Sequence, residues 1–188
     1  MKVKDILNAA ADLIQSSSLF EELSNENMLN SRVSDSSILI NCLNVVLNDI
    51  STNYFEIKKT FQNSTTSKIL LKNILGKYDL KEIISVKDMT GVEINYRISD
   101  GYILTEKAGF TMEYTVFPLN VSSFDDEVSY WDNISLKSFV IAQGVVGEFY
   151  LIKGCFEESQ IWERKFRQTM HNIVTSKKEI VMPARRWC

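Results

Sequence analysis

The chain has 188 residues, enough for one domain with a sizeable core or for a domain with a small second unit. Hydrophobic residues make up 45% and charged residues 24%, the balance of a globular fold rather than a disordered or fibrous one. Twenty-one basic against 24 acidic residues leave a net charge of −3, which excludes a general nucleic-acid coat built on a basic face.

The first stretch, "MKVKDILNAAADLIQSS", is broken by Asp5, Asn8 and Asp12 and has no cleavage pattern, so a signal peptide is not expected. No window approaches the roughly 20 apolar residues of a membrane span, and the expectation is a chain folded in the cytosol. Residues 2–15 instead read as an amphipathic helix. Val3, Ile6, Leu7, Ala10, Leu13 and Ile14 fall at helical spacing with polar residues between them. The Ser- and Asn-rich stretch after it reads as a connector.

A second helix starts at "SDSS", where Ser34 or Asp35 can accept from the free amides of the first turn. Leu39, Leu43, Val46, Ile50 and Tyr54 step by three or four, and Cys42 and Leu47 widen the stripe. Cys42, Cys155 and Cys188 stand in no CxxC or CxxH spacing, so the set carries neither a disulfide framework nor a metal motif. Cys42 reads as a small core residue.

After Tyr54 the period changes to two. Phe55, Ile57 and Phe61 alternate with polar neighbours, as do Val92, Ile94, Tyr96 and Ile98, and Phe110, Met112, Tyr114 and Val116. The turn signals "DMTG", "SDG" and "EKAG" punctuate the run at 88–91, 99–101 and 106–109. The expectation is an antiparallel meander over 55–118 with one face buried and one wet, ended by Pro118.

Residues 119–134 read as a linker. From Leu136 the helical period returns, with Phe139, Ala142, Val146, Phe149 and Ile152 on one stripe and Gly154 as the natural stop. A further helix follows, with Phe156, Trp162, Phe166, Met170 and Ile173 on one side and Glu157, Glu158, Glu163, Arg164 and Arg167 mostly on the other. The fold class is therefore α+β. Helices of both chain ends (1–54 and 135–175) form a bundle, with the meander inserted and an extended arm over 176–188.

The chemistry-bearing residues are sparse. The one histidine, His171, has no Cys or paired carboxylate at ligand spacing. No Gly-rich phosphate loop, nucleophile elbow or HExxH is present, and no cofactor is expected. Asp125, Asp126 and Glu127 lie adjacent in the linker, without a second group to act with them, so an enzyme is not expected. Glu157 and Glu158 suit the positive end of a helix. Gly144 and Gly147 lie three apart within a helix, where each costs about 1 kcal/mol relative to alanine. They imply close approach of another helix or of a neighbouring subunit.

The end, "SKKEIVMPARRWC", combines alternating Ile180 and Met182, a stiff joint at Pro183, and Arg185, Arg186 and Trp187. Arg and Trp are enriched at interface hot spots, and the alternation suits a strand added to an open sheet edge. A partner-docking arm is the expectation.

Four stretches in this order resemble the neck, or head-to-tail adaptor, proteins of tailed bacteriophages, including the tail tubular A type. They are the helix "CLNVVLNDISTNYFEIKK", the Gly-punctuated run "ISVKDMTGVEINYRISDGYILTEKAGFTMEYTVFP", the helical pair "VIAQGVVGEFYLIKGCFEESQIWERKFRQTM" and the end "ARRWC". The similarity runs from about residue 35 to the end. It departs from the tail tubular A type in length and in much of the N-terminal third. The resemblance implies a structural virion protein of the neck. Such a subunit forms a homo-oligomeric ring, commonly twelvefold, that joins the portal protein to tail proteins and lets DNA pass without sequence-specific binding. It also implies that residues 176–188 dock on the portal or on a neighbouring subunit, with Arg185, Arg186 and Trp187 as anchors. The competing readings are a tail-terminator or tail-completion protein, a small hydrolase using the "FDDE" acids, and a regulatory DNA-binding protein.

Overall fold

The computed structural model describes residues 1–15, 35–131, 134 and 136–176. The arm residues Ile180, Met182, Pro183, Arg185, Arg186 and Trp187 lie outside this set, as do the connector and the Ser34 cap. The elements run α1 (Val3–Ile14), α2 (Asp35–Asn53), β1 (Ile57–Asn63), β2 (Lys68–Leu70), α3 (Leu71–Leu75), β3 (Leu80–Asp88), β4 (Tyr96–Ser99), β5 (Tyr102–Thr105), β6 (Phe110–Val116), α4 (Ser138–Ile152) and α5 (Phe156–Ser176). Helices and antiparallel strands together make the class α+β. The chain divides into two compact units, one of residues 1–46 with 121 onward and one of residues 47–120, and the division falls inside α2.

The first unit is helical. Val3, Ile6, Leu7 and Ala10 of α1 are fully buried, as the 3.6-residue period dictates. Burying each larger side chain contributes roughly 1.5–3 kcal/mol. α1 packs on α4, and α4 packs on α5. Every residue of α4 from Val140 to Gly147 is buried, so this helix is wrapped all round and sits at the centre of the unit. Its expected stripe is corrected at both ends: Phe139 is 49% and Ile152 57% exposed, because the neighbouring helices cover only the middle of α4.

The 121–128 segment is knitted to the chain start. The Val3 amide donates to the Asp126 carbonyl at 3.0 Å, and the Val128 amide to the Met1 carbonyl at 2.9 Å. Asn44 on α2 satisfies both backbone groups of Val121: its Nδ2 donates to the carbonyl at 3.0 Å, and its Oδ1 accepts from the amide at 2.7 Å.

The second unit holds two three-stranded antiparallel sheets, in the orders β1-β6-β3 and β2-β5-β4. Each strand of one sheet continues along the chain into a strand of the other: β1 into β2, β3 into β4, and β5 into β6. The registers agree with this reading. Ile57 faces Val116 and Asn63 faces Phe110, and past the corner Lys68 still faces Leu104 and Leu70 faces Tyr102. The unit is in effect one set of three long, interrupted strands, with 102–116 in the middle. The expected meander is corrected here. In a meander the second ribbon would lie centrally, but α3 carries the chain across, so 80–99 flanks the middle strand on the far side. A two-residue turn at Asp100 (φ 53°) and Gly101 (φ 78°) then returns the chain as the middle strand. Two consecutive positive φ values match the twist of a tight hairpin.

One face of β1-β6-β3 is apolar. Phe110, Met112, Tyr114 and Val116 are buried, while Lys58, Thr60, Gln62 and Glu113 alternate outward and are exposed. Lys81 donates to the Ser51 carbonyl at 3.0 Å, filling one of the unsatisfied acceptors at the end of α2.

Candidate functional site

The helical pair α4–α5 is where the sequence placed its first contact residues. A Cβ built on Gly144 would stand 2.9 and 3.2 Å from the two γ-methyls of Val46 and 3.3 Å from Cδ2 of Phe166. A Cβ on Gly147 would stand 3.3 Å from the Glu163 amide nitrogen. Both glycines are buried, and both face elements of the same chain. Gly147 lets α5 approach α4 backbone to backbone, and Gly144 makes room for Val46 of α2. Gln143, also on α4, receives the Thr169 hydroxyl of α5 at 3.4 Å across the same contact.

Of the acids the sequence singled out between α2 and α4, one is engaged structurally. Asp126 Oδ2 accepts from the Ser122 and Ser123 amides, both at 2.9 Å, and these bonds hold its carboxyl below the usual range, the Ser122 bond foremost. Asp125 is exposed, and Glu127 forms a backbone bridge with Lys2. Of the "FDDE" acids only Asp126 closes a turn through its carboxylate, while the side chains of Asp125 and Glu127 are exposed. His171 is exposed on α5. It lines an open groove of about 720 Å³ with Gln160, Glu163, Arg164, Arg167 and Gln168. All these lining residues come from one helix, and Glu163 is paired with Arg167 at 2.6 Å.

Cys42 is buried, and burial together with the Glu148 charge pushes its thiol up to about 12, the behaviour of a core residue rather than a nucleophile. Among the described residues no group of three or more His, Cys, Asp or Glu side chains converges to hold a metal ion. No described helix is long and apolar enough to cross a membrane.

Two features escaped sequence reasoning. The first is a network at Asp88. Its carboxylate accepts from Lys107 Nζ (2.7 Å), the Thr90 hydroxyl (2.5 Å), the Thr90 amide (2.9 Å) and the Val92 amide (3.0 Å). The Lys107 bond first, then the Thr90 and Val92 bonds, hold Asp88 well below the usual carboxylate range. This pins the 88–92 turn to the 106–109 turn. Gly109 completes the corner, since a Cβ there would meet the Ser64 carbonyl oxygen at 3.1 Å and Met89 Cγ at 3.2 Å.

The second is an apolar row left in water. The alternation of Val92, Ile94, Tyr96 and Ile98 implied a buried face like that of β6. Val92 is instead 59%, Tyr96 42% and Ile98 47% exposed, and Met89 beside them is 53% exposed. Only Tyr96–Ser99 of this stretch forms a strand, at the edge of its sheet. The pattern itself was legible; that nothing among the described residues covers this face was not.

No protein-family model matches the chain, and no curated protein matches it.

Proposed function

We propose that the chain is a structural virion protein, a head-to-tail adaptor subunit that forms a ring joining the portal to the tail of a bacteriophage. The observation that carries this reading is the placement of the β unit. It is inserted between α2 and the pair α4–α5, and α5 leads directly into the basic-aromatic segment 177–188. This is the order on which the resemblance to neck adaptors rests. The distribution of polar side chains supports the same reading. Asp88 and Asp126 close turns, Asp35 and Glu163 pair with Lys153 and Arg167, and the net charge of −3 suits a channel wall that repels rather than grips DNA.

In this role the helical unit supplies rigidity. α4 is wrapped by its neighbours and gives α5 a fixed base from which residues 177–188 reach a partner. A ring needs two different complementary surfaces on each subunit, because each copy meets one neighbour on either side.

The test is copurification. The tagged chain, coexpressed with the portal protein of the same genome, is expected to elute with portal rings. A chain lacking residues 177–188 is expected to keep its helical circular dichroism but to be lost from those fractions. Elution with tail tubes and not with portal would make it a tail-completion protein. Absence from every particle fraction would refute a virion role.

A further inference from the structure

The sheet β2-β5-β4 has two unpaired edges among the described residues, and they differ in chemistry. β4 forms one edge, and around it lie the exposed apolar side chains Val92, Tyr96 and Ile98. The carboxylates there, Glu93, Asp100 and Glu106, are exposed and outnumber the cations Arg97 and Lys87, Lys87 being the bridge partner of Glu93. Asn95 holds Glu106 on this side by a 2.9 Å hydrogen bond to Oε1. Lys107 adds no free charge, because it is spent on Asp88.

β2 forms the other edge. From residue 64 to residue 78 the chain carries Lys68, Lys72 and Lys77, all exposed, and no carboxylate. Lys68 lies 4.4 Å from the centre of the Tyr102 ring, which holds its ammonium at the sheet surface.

Exposed strand edges are a liability that proteins usually blunt with proline, bulges or short charged strands. Both edges here are short and each carries a cation, Arg97 on the four-residue β4 and Lys68 on the three-residue β2, but β4 has no proline and leaves Tyr96 and Ile98 exposed, and the opposite edge of the same sheet has the complementary charge. A surface with two unlike, complementary edges associates head to tail rather than through a two-fold axis. We propose that β4 of one copy docks against the β2–α3 edge of the next copy, so that the sheets of successive subunits run on into one another. The row Val92, Tyr96 and Ile98 is covered by this contact. Glu93 and Asp100 meet Lys68 and Lys72 of the neighbour. This names the subunit contact of the ring, and its place in a neck rests on the reading above.

The experiment uses the full chain and two variants. Tyr96→Lys/Ile98→Lys blocks the β4 edge, and Lys68→Glu/Lys72→Glu blocks the β2 edge. All four positions are exposed or on the strand edge, and circular dichroism reports whether each variant folds. Glu93→Lys/Asp100→Lys replaces the first variant if it does not fold. In sedimentation velocity at about 0.1 mM, a concentration suited to a small edge-to-edge contact, the parent chain is expected to form a ladder of assemblies. Each variant alone is expected to run as a monomer. An equal mixture of the two variants, which restores one good contact, is expected to stop at the dimer. A parent chain that stays monomeric, or variants that assemble as the parent does, would overturn the proposal. Variants that assemble normally would still leave the adaptor reading standing. A chain missing from portal fractions that nevertheless shows the dimer-limited mixture would remove the adaptor reading and keep this contact.

Discussion

Replacing Gly144 with alanine tests how tightly the helical unit is packed. In an unconstrained helix interior the change is favourable by about 1 kcal/mol. Here the new methyl stands 2.9 Å from a γ-methyl of Val46, well inside van der Waals contact. Val46 is only 3% exposed, and a valine in a helix has one strongly preferred rotamer, so the clash has no cheap exit. Overpacking of this kind costs about 1–3 kcal/mol. The net expectation is a destabilisation of about 1 kcal/mol, or a fall of roughly 2–4 °C in melting temperature for a chain of this size.

The sign is expected to reverse when Val46 is also alanine. Val46→Ala alone costs roughly 2 kcal/mol by cavity formation. In that background the Gly144→Ala methyl enters the vacated space, the 3.3 Å approach to Phe166 is relieved by a small shift of the ring, and the helical gain of about 1 kcal/mol dominates. Urea unfolding of the four proteins, followed by circular dichroism at 222 nm, closes the double-mutant cycle. A coupling near 2 kcal/mol is expected. If Gly144→Ala stabilises the parent and the Val46→Ala protein equally, Gly144 is not there to admit α2.

Asp88 predicts an acid response. Its carboxyl is held below the range of the unfolded chain, so its contribution is present above about pH 4 and is lost as pH falls further. Melting temperatures measured from pH 7 to pH 3 should fall less steeply for Asp88→Asn than for the parent, from a lower starting value. Parallel curves would show that Asp88 contributes nothing through its charge. Cys42, buried and with its thiol pushed up to about 12, should resist alkylation at pH 8 in the native protein and react fully in urea. Peptide mapping that finds native Cys42 modified would contradict its core placement. Gly101→Val should destabilise the β unit by about 1–2 kcal/mol, since its φ of 78° is strained for a β-branched residue. Unchanged urea unfolding would argue against the tight hairpin.

Local patterns were legible because their cause is local. The 3.6-residue period named Val3, Ile6, Leu7 and Ala10 as buried, and they are. The alternation of Phe110, Met112, Tyr114 and Val116 named the apolar face of β6. The sequence "DG" announced the turn at 100–101. What stayed hidden depends on which segments meet. Nothing in the alternation says that 102–116 lies between its two predecessors, because pairing partners are set by the α3 crossover and not by period. The exposure of Tyr96 and Ile98 was hidden for the same reason. A buried-strand pattern states that a face wants cover, and not whether this chain supplies it. Asp88 carried a weaker signal: "DMTG" marked a turn, but the partner Lys107 is 19 residues away and visible only in three dimensions.

The most direct test of the central claim is cryo-electron microscopy of intact particles made by the genome that encodes the chain. The expected result is a closed ring directly below the portal, with density for α4 and α5 in every subunit and residues 177–188 in contact with the portal or a neighbour. A neck reconstructed to side-chain detail with no density for this chain would contradict the account.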